Sequence, residues 1–533
     1  VSLRKPACGV GLAGLLALIA PAAWAQVPTA TAADEAAREA ALFGADDDAG
    51  EGAAREAALF GGDAPSASPD DREAALFGAE TATAAVAPRE TPGAAPPSAE
   101  ARLFDALRDK DDFLDIGGVL WLWLQASDIE DTPLGQSGLS SPSFADLYLD
   151  ARPNDRLRAY ARGRLFYDPT VDPDAVSLTG ATQSQTRVQL DQLWLKLDLY
   201  RKVFITAGRQ RIRWGTGRIW NPTDFLNPTR RDSLNFLDTR LGVTLVKVHI
   251  PVEALGWNFY AIAELSQAKT LEQLGGALRA EVLVGPAEVA LSTGVRKDAP
   301  WRFGADISLP IWDFDVHAEV ALLHKVRTPF FDARSDASFL NDLRVIDDVA
   351  TATTALAALA GQPVDRSADW IPQIVAGLDY TWRYGDQDYL VLAAEYFFND
   401  AGTTLPGTYL PMLFNGVFQP LYVGRHYVSL AAYLVSPGDW NDTTFSLVGL
   451  ANLSDKTGLV RFNYTVKVLT YLTVNAFISG FVGEAGGEFR FRARIPPVEP
   501  SLAEAAGVPD ALAGGLTFNP PRVQLGGTLV IDF

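Results

Sequence analysis

The stretch VRFNYTVKV at 460–468 sets Arg461, Asn463, Thr465 and Lys467 on one side of an extended chain. Val460, Phe462, Tyr464, Val466 and Val468 fall on the other. Successive side chains of a strand point to opposite faces, so this period of two predicts a strand with one oily and one watery face. The segment that follows repeats it, with Thr473, Asn475 and Ser479 alternating with Leu472, Val474, Ala476 and Ile478. So do Asp379, Thr381 and Arg383 against Leu378, Tyr380 and Trp382, and Asp313, Asp315, His317 and Glu319 against Phe314, Val316, Ala318 and Val320. Each run has about the ten residues a tilted strand needs to cross a bilayer. A soluble β-sandwich alternates in a similar way, so periodicity alone leaves both architectures open.

The connections separate them. Eighteen such runs are read between 114–125 and 522–533. Alternate connections are short: Pro153 to Asp155, Arg201-Lys202, Gly285-Pro286, Gly385 to Gln387, Pro437 to Asp439, and the join near Leu469 and Thr470. Between them fall 129–144, 168–185, 215–239, 325–371, 399–424 and 483–521. An even strand number with short turns at one end and long loops at the other predicts a closed antiparallel transmembrane β-barrel over 111–533. The strand-like segment Glu488 to Ile495 is assigned to the last long loop, because a further strand would break the parity. Trp382, Tyr384, Trp440 and Tyr471 fall near strand ends, where interfacial aromatic girdles belong. The segment VQLGGTLVIDF at 523–533 has an apolar residue or Gly at every second position back from Phe533. It resembles the C-terminal signal that outer-membrane proteins present to the barrel-assembly machinery, which makes that machinery and outer-membrane lipid the expected partners.

The rest of the chain supports export. Arg4 and Lys5, the apolar run Val10 to Ala20 and Ala23-Trp24-Ala25 read as a secretory signal peptide over 1–25. The only cysteine, Cys8, lies inside it, so no disulfide or thiolate chemistry is expected in the mature chain. Residues 26–110 form a low-complexity extension, placed in the periplasm. To Phe104 it holds 15 Asp and Glu against 5 Arg and few β-branched aliphatics, too little apolar surface to offset its chain entropy. Within it REAALFG occurs at 38–44, 55–61 and 72–78. Each copy is a short potential helix closed by Gly with a Leu-Phe tip. Linked copies suit multivalent docking to a periplasmic protein, although a duplicated spacer would look the same. A net charge of −20 argues against nucleic-acid binding. No later stretch of 18 apolar residues predicts a membrane helix.

Arginine dominates the candidate lumen. Arg156, Arg158, Arg162 and Arg164 share one parity of the run 156–167, and Arg209, Arg211 and Arg213 share one face of the run 203–214. A lipid-facing Arg near the midplane costs about 2–4 kcal/mol, so both sets are expected to point inward as a basic ladder favouring anions. Asp191-Gln192 breaks the phase of the run between them and suggests a bulge. Gly208-Arg209-Gln210 through Trp214-Gly215 to Asn221-Pro222-Thr223-Asp224 resembles bacterial porin-like and alginate-exporter-like barrels. That resemblance implies a third loop folded inward to narrow a channel, lined by Arg218, Asn221, Asp224, Arg230 and Arg231. Asp315, Glu319, Asp379 and Glu395 would offset the bases elsewhere in the lumen. No nucleophile–base pair or metal-ligand spacing stands out among the four His residues. No catalytic role, metal or cofactor is expected, and His317 is read as a solvated lumen residue. The expected function is passive diffusion of small hydrophilic solutes, acidic ones among them. A secretion conduit for an acidic polysaccharide and a structural or adhesive barrel are the alternatives. Oligomeric state is not legible.

Overall fold

The computed structural model describes residues 113–533 apart from 137, 173–183, 232, 235–239, 267, 386–387 and 507–512. The expected signal peptide at 1–25, the extension at 26–110 and its three repeats lie outside the described residues. From Leu114 onward the two-residue period is realised as strands. They are β1 (Leu114–Ile129), β2 (Ser143–Asn154), β3 (Leu157–Tyr167), β4 (Thr186–Leu199), β5 (Val203–Gln210) and β6 (Val243–Val252). Next come β7 (Trp257–Glu264), β8 (Gly275–Val284), β9 (Ala287–Val295), β10 (Trp301–Ile311), β11 (Phe314–His324) and β12 (Trp370–Arg383). The last six are β13 (Tyr389–Asn399), β14 (His426–Val435), β15 (Thr443–Asn452), β16 (Thr457–Leu469), β17 (Leu472–Gly483) and β18 (Pro521–Asp532).

Each strand pairs antiparallel with the next, and β18 pairs back onto β1 from Val119↔Asp532 to Ile129↔Pro521. Gly118 and Phe533 extend the seam by exchanging backbone hydrogen bonds of 2.7 and 2.9 Å. The sheet therefore closes into an 18-stranded barrel with no free edge, the arrangement that satisfies every strand's backbone groups without a soluble cover. A short strand at Gly138–Ser140 pairs with the end of β1 beyond this circumference. Tight turns such as Gly285-Pro286 and Thr470-Tyr471 gather at one end, and the long connections gather at the other.

Alternation sorts the two faces. In β2, Phe144, Asp146, Tyr148 and Asp150 are buried, whereas Leu147 and Leu149 are exposed. Exposed leucines recur outward around the barrel at Leu165, Leu193, Leu278, Leu291, Leu430 and Leu525. Tyr200, Trp312, Trp382, Trp440 and Tyr471 ring the short-turn end, with Trp301 and Trp370 exposed at the other.

Three local features refine the sequence reading. The run expected to continue to Trp214 ends at Gln210. Gly208 has φ 129, and a Cβ there would meet the Leu193 carbonyl, so only glycine fits that crossing. On β4 the register passes from Arg162↔Gln192 to Gly163↔Leu190, leaving Asp191 as the extra residue of a bulge. Segment 488–495 stays out of the barrel wall. Glu488–Arg490 is a helical turn, and Ala493–Ile495 pairs with Leu516–Phe518. With α1 (Val349–Ala360) and α2 (Tyr409–Phe414) this segment forms a cap at the long-loop end, around Leu340, Leu359, Tyr409, Leu413, Phe418 and Phe491.

Candidate functional site

The wall formed by β2 to β4 carries bases on its inward parity, each met by an acid or an aromatic ring. Arg162 and Arg164 both donate to Asp146, with Nη2 to Oδ2 distances of 2.7 Å. Arg158 donates Nε to Asp150 Oδ1 at 2.9 Å. Arg187 lies over the Phe166 ring and Lys196 over Phe204, at 4.4 and 5.1 Å from the ring centres. Cations on aromatic faces gain a cation–π attraction that strengthens away from bulk water. The inward parity of this wall thus carries six bases, Arg152, Arg158, Arg162, Arg164, Arg187 and Lys196, against four acids, Asp146, Asp150, Asp191 and Asp198.

The next strand departs from expectation. Phe204, Thr206 and Gln210 are the buried residues of β5, and Thr206 pairs with the buried Lys247. Arg209 has the opposite parity, facing Leu193 and Thr244 across the sheet, one residue before the strand ends. Its Nε reaches the Asp191 carbonyl at 3.1 Å. A cation at this rim costs about 0–1 kcal/mol, far less than at mid-height, which is why an argument from midplane cost misplaces it. Arg211 and Arg213 lie beyond the strand. Arg211 pairs with Asp191 at 2.6 Å, and Arg213 donates to the Gly217 carbonyl at 3.4 Å. Ile212 and Trp214, read from sequence as the opposite, apolar face, are buried inward against Phe225, Leu226, Leu245 and Tyr260. Arg209, Arg211 and Arg213 therefore do not form one ladder.

From Arg211 the chain crosses the barrel interior. Two wall carboxylates receive it. Glu319 of β11 accepts from the Gly217 N–H at 2.6 Å, the Thr223 hydroxyl at 2.8 Å and the Asn221 amide at 3.2 Å. Glu395 of β13 accepts the successive N–H groups of Arg218, Ile219 and Trp220 at 2.6, 3.1 and 2.9 Å. Arg218 is fixed further by Asp379 of β12 at 2.9 Å. Trp220 is fully buried between Phe397 and Tyr427, its indole N–H donating to the Leu421 carbonyl at 3.0 Å. Farther along, Asp224 pairs with Arg240 at 2.6 Å, and Arg230 donates to the Asn221 carbonyl at 3.1 Å. Arg231 is half-buried beside them.

His317 is not solvated, contrary to the sequence reading. It is buried, with Nε2 3.0 Å from Glu395 Oε2, because the crossing loop seals this wall. The sequence reading does not assign Asp146, Asp150 and Asp191 as partners of the arginines. The first two are legible from parity in FADLYLD at 144–150, whereas the pairing of Asp191 depends on its bulge. It also misses a second buried group, Arg279 between Asp306 at 2.7 Å and Glu281 at 2.6 Å. Among the described residues, no group of three His, Cys, Asp or Glu side chains is arranged to hold a metal ion.

No family model and no curated protein matches the chain. Solved structures do. A double and a triple mutant of the Rhodopseudomonas blastica porin each align with 79% of this chain and 100% of their own, at 10% identity and a TM-score of 0.37. A loop-deletion mutant of OmpT, an outer-membrane protein of Vibrio cholerae, aligns over the same shares at 10% identity and a TM-score of 0.34. The barrel itself is established by the register of this chain's own strands.

Proposed function

We propose that the chain forms a water-filled outer-membrane channel for passive diffusion of small hydrophilic solutes, with a preference for acidic ones. The observation that carries this reading is an asymmetry of charge. Glu319 of β11 and Glu395 of β13 are taken up by backbone N–H groups of the crossing loop, whereas the β2–β4 wall keeps more bases than acids. A carboxylate surrounded by donors projects little field, so the field felt by a solute is set by the basic wall. The outward leucines and aromatic rings suit lipid contact, and Phe533 at the closing seam suits recognition by the barrel-assembly machinery. On this reading 26–110 lies in the periplasm. The three REAALFG copies there favour a second version, in which a periplasmic partner engages them and the barrel serves as a secretion conduit for an acidic polysaccharide.

Single-channel recording in a planar bilayer tests the proposal. Purified protein should give stable conductance steps that scale with salt and persist after deletion of 26–110. Glu395→Ala removes the acceptor of three loop N–H groups, which costs about 1–3 kcal/mol of loop docking, and should raise the conductance. A properly inserted barrel that passes no current would leave only a structural or adhesive role.

A further inference from the structure

At the long-loop end, a cavity of about 590 Å³ lies between segment 224–230 of the crossing loop and the wall from β7 to β12. This is within the roughly 300–1,000 Å³ range of small-molecule sites. Its charged residues are almost all matched in pairs. Arg296 meets Glu264 at 3.0 Å, Asp298 meets Arg327 at 2.6 Å, Asp224 meets Arg240 at 2.6 Å, and Lys297 meets Glu272 at 2.5 Å.

Arg230 and Arg302 are the exceptions. Arg302 donates to the Phe225 carbonyl and Arg230 to the Asn221 carbonyl, which fixes where each guanidinium points. Among the described residues, neither has a carboxylate within ion-pairing distance. Two anchored, half-buried cations with spare N–H donors make a site for an anion, because guanidinium binds carboxylate through paired charge-assisted hydrogen bonds. The remaining wall is mixed, with Asn227, Thr328 and Gln419 on it beside an apolar patch. Phe225, Val326 and Ile371 are buried there, and Phe330 is partly buried beside them. With one cationic locus and an oily patch, the cavity matches a molecule that has one carboxylate on a compact apolar body. A phosphate ion would leave the oily patch uncovered, and a neutral solute would leave the cations unmatched.

The geometry points to a binding site for monocarboxylates with an aromatic or small apolar body, held by Arg230 and Arg302 in the outer vestibule. It rests on the channel reading and names the class of acidic solute that the channel captures before passage.

Isothermal titration of the detergent-solubilised full chain reads binding independently of current. Benzoate should saturate one site, with benzamide and inorganic phosphate each binding at least tenfold more weakly. Arg230→Gln and Arg302→Gln should each weaken benzoate at least tenfold, Arg302→Lys by less, and the exposed-loop change Arg334→Gln not at all. Retention of heat-modifiable gel mobility certifies that each variant is folded. Equal affinity for benzoate and benzamide, equal affinity for benzoate and phosphate, or unchanged affinity in both Gln variants overturns the site. Benzoate binding by a barrel that passes no current would uphold the site and remove the channel. Current without benzoate binding would do the reverse.

Discussion

Asp146 is the counter-charge for two arginines at once, and all three side chains are almost fully buried. Breaking a buried pair by removing one partner costs about 3–5 kcal/mol, because the remaining charge is stranded. Asp146→Asn keeps the shape, takes the close carboxylate from Arg164 and leaves Arg162 with Asp191 at 3.7 Å. It should lower the midpoint of heat modification on gels, and adding Arg162→Gln should recover part of the loss. A midpoint unchanged in the single variant would mean that water already screens this wall. Residues of this kind are legible to different degrees. Asp146 can be read by counting parity from Phe144. Asp191 cannot, because its reach toward Arg162 and Arg211 depends on one extra residue in the ladder.

The crossing loop and the cap show where pattern reading runs out. Alternation locates β5 but extends it to Trp214, since Arg, Ile, Arg and Trp keep the period after the hydrogen bonding has stopped. Nothing in the sequence indicates that Glu319 and Glu395, spaced like ordinary lumen acids, would bind loop backbone. In the cap, Glu488 accepts the Tyr427 hydroxyl at 2.7 Å and the Asn452 amide at 2.9 Å, next to Asp455, which accepts the Tyr409 hydroxyl at 2.8 Å. Burial pushes the Glu488 carboxyl up to about 7. The Tyr427 hydroxyl and the Leu421 N–H work against this, and the Asp455 charge adds to it. A carboxyl raised in the folded state binds its proton more tightly there than in the unfolded loop. Its contribution is therefore complete below the ordinary Glu range and is lost as pH climbs through 7. The loss is about 3 kcal/mol. Hydrogen-exchange protection factors across Tyr409–Phe414 should fall between pH 5 and pH 8, and Glu488→Gln should remove the difference. A fall of the same size in Glu488→Gln would place the switch on another group.

The barrel is the most legible level, since closure needs only alternation, parity and turn length to agree, and the eighteen ranges read from sequence match the observed strands closely. What packs inside is less legible, because it depends on contacts between residues 102 and 177 positions apart, such as Gly217 with Glu319 and Arg218 with Glu395. On the proposed reading those contacts set the lumen field, because they occupy Glu319 and Glu395 on one wall and leave the other wall with more bases than acids. The reversal potential of the reconstituted barrel under a KCl gradient reports that field directly. A potential on the chloride side is predicted, and a potential on the potassium side would contradict it.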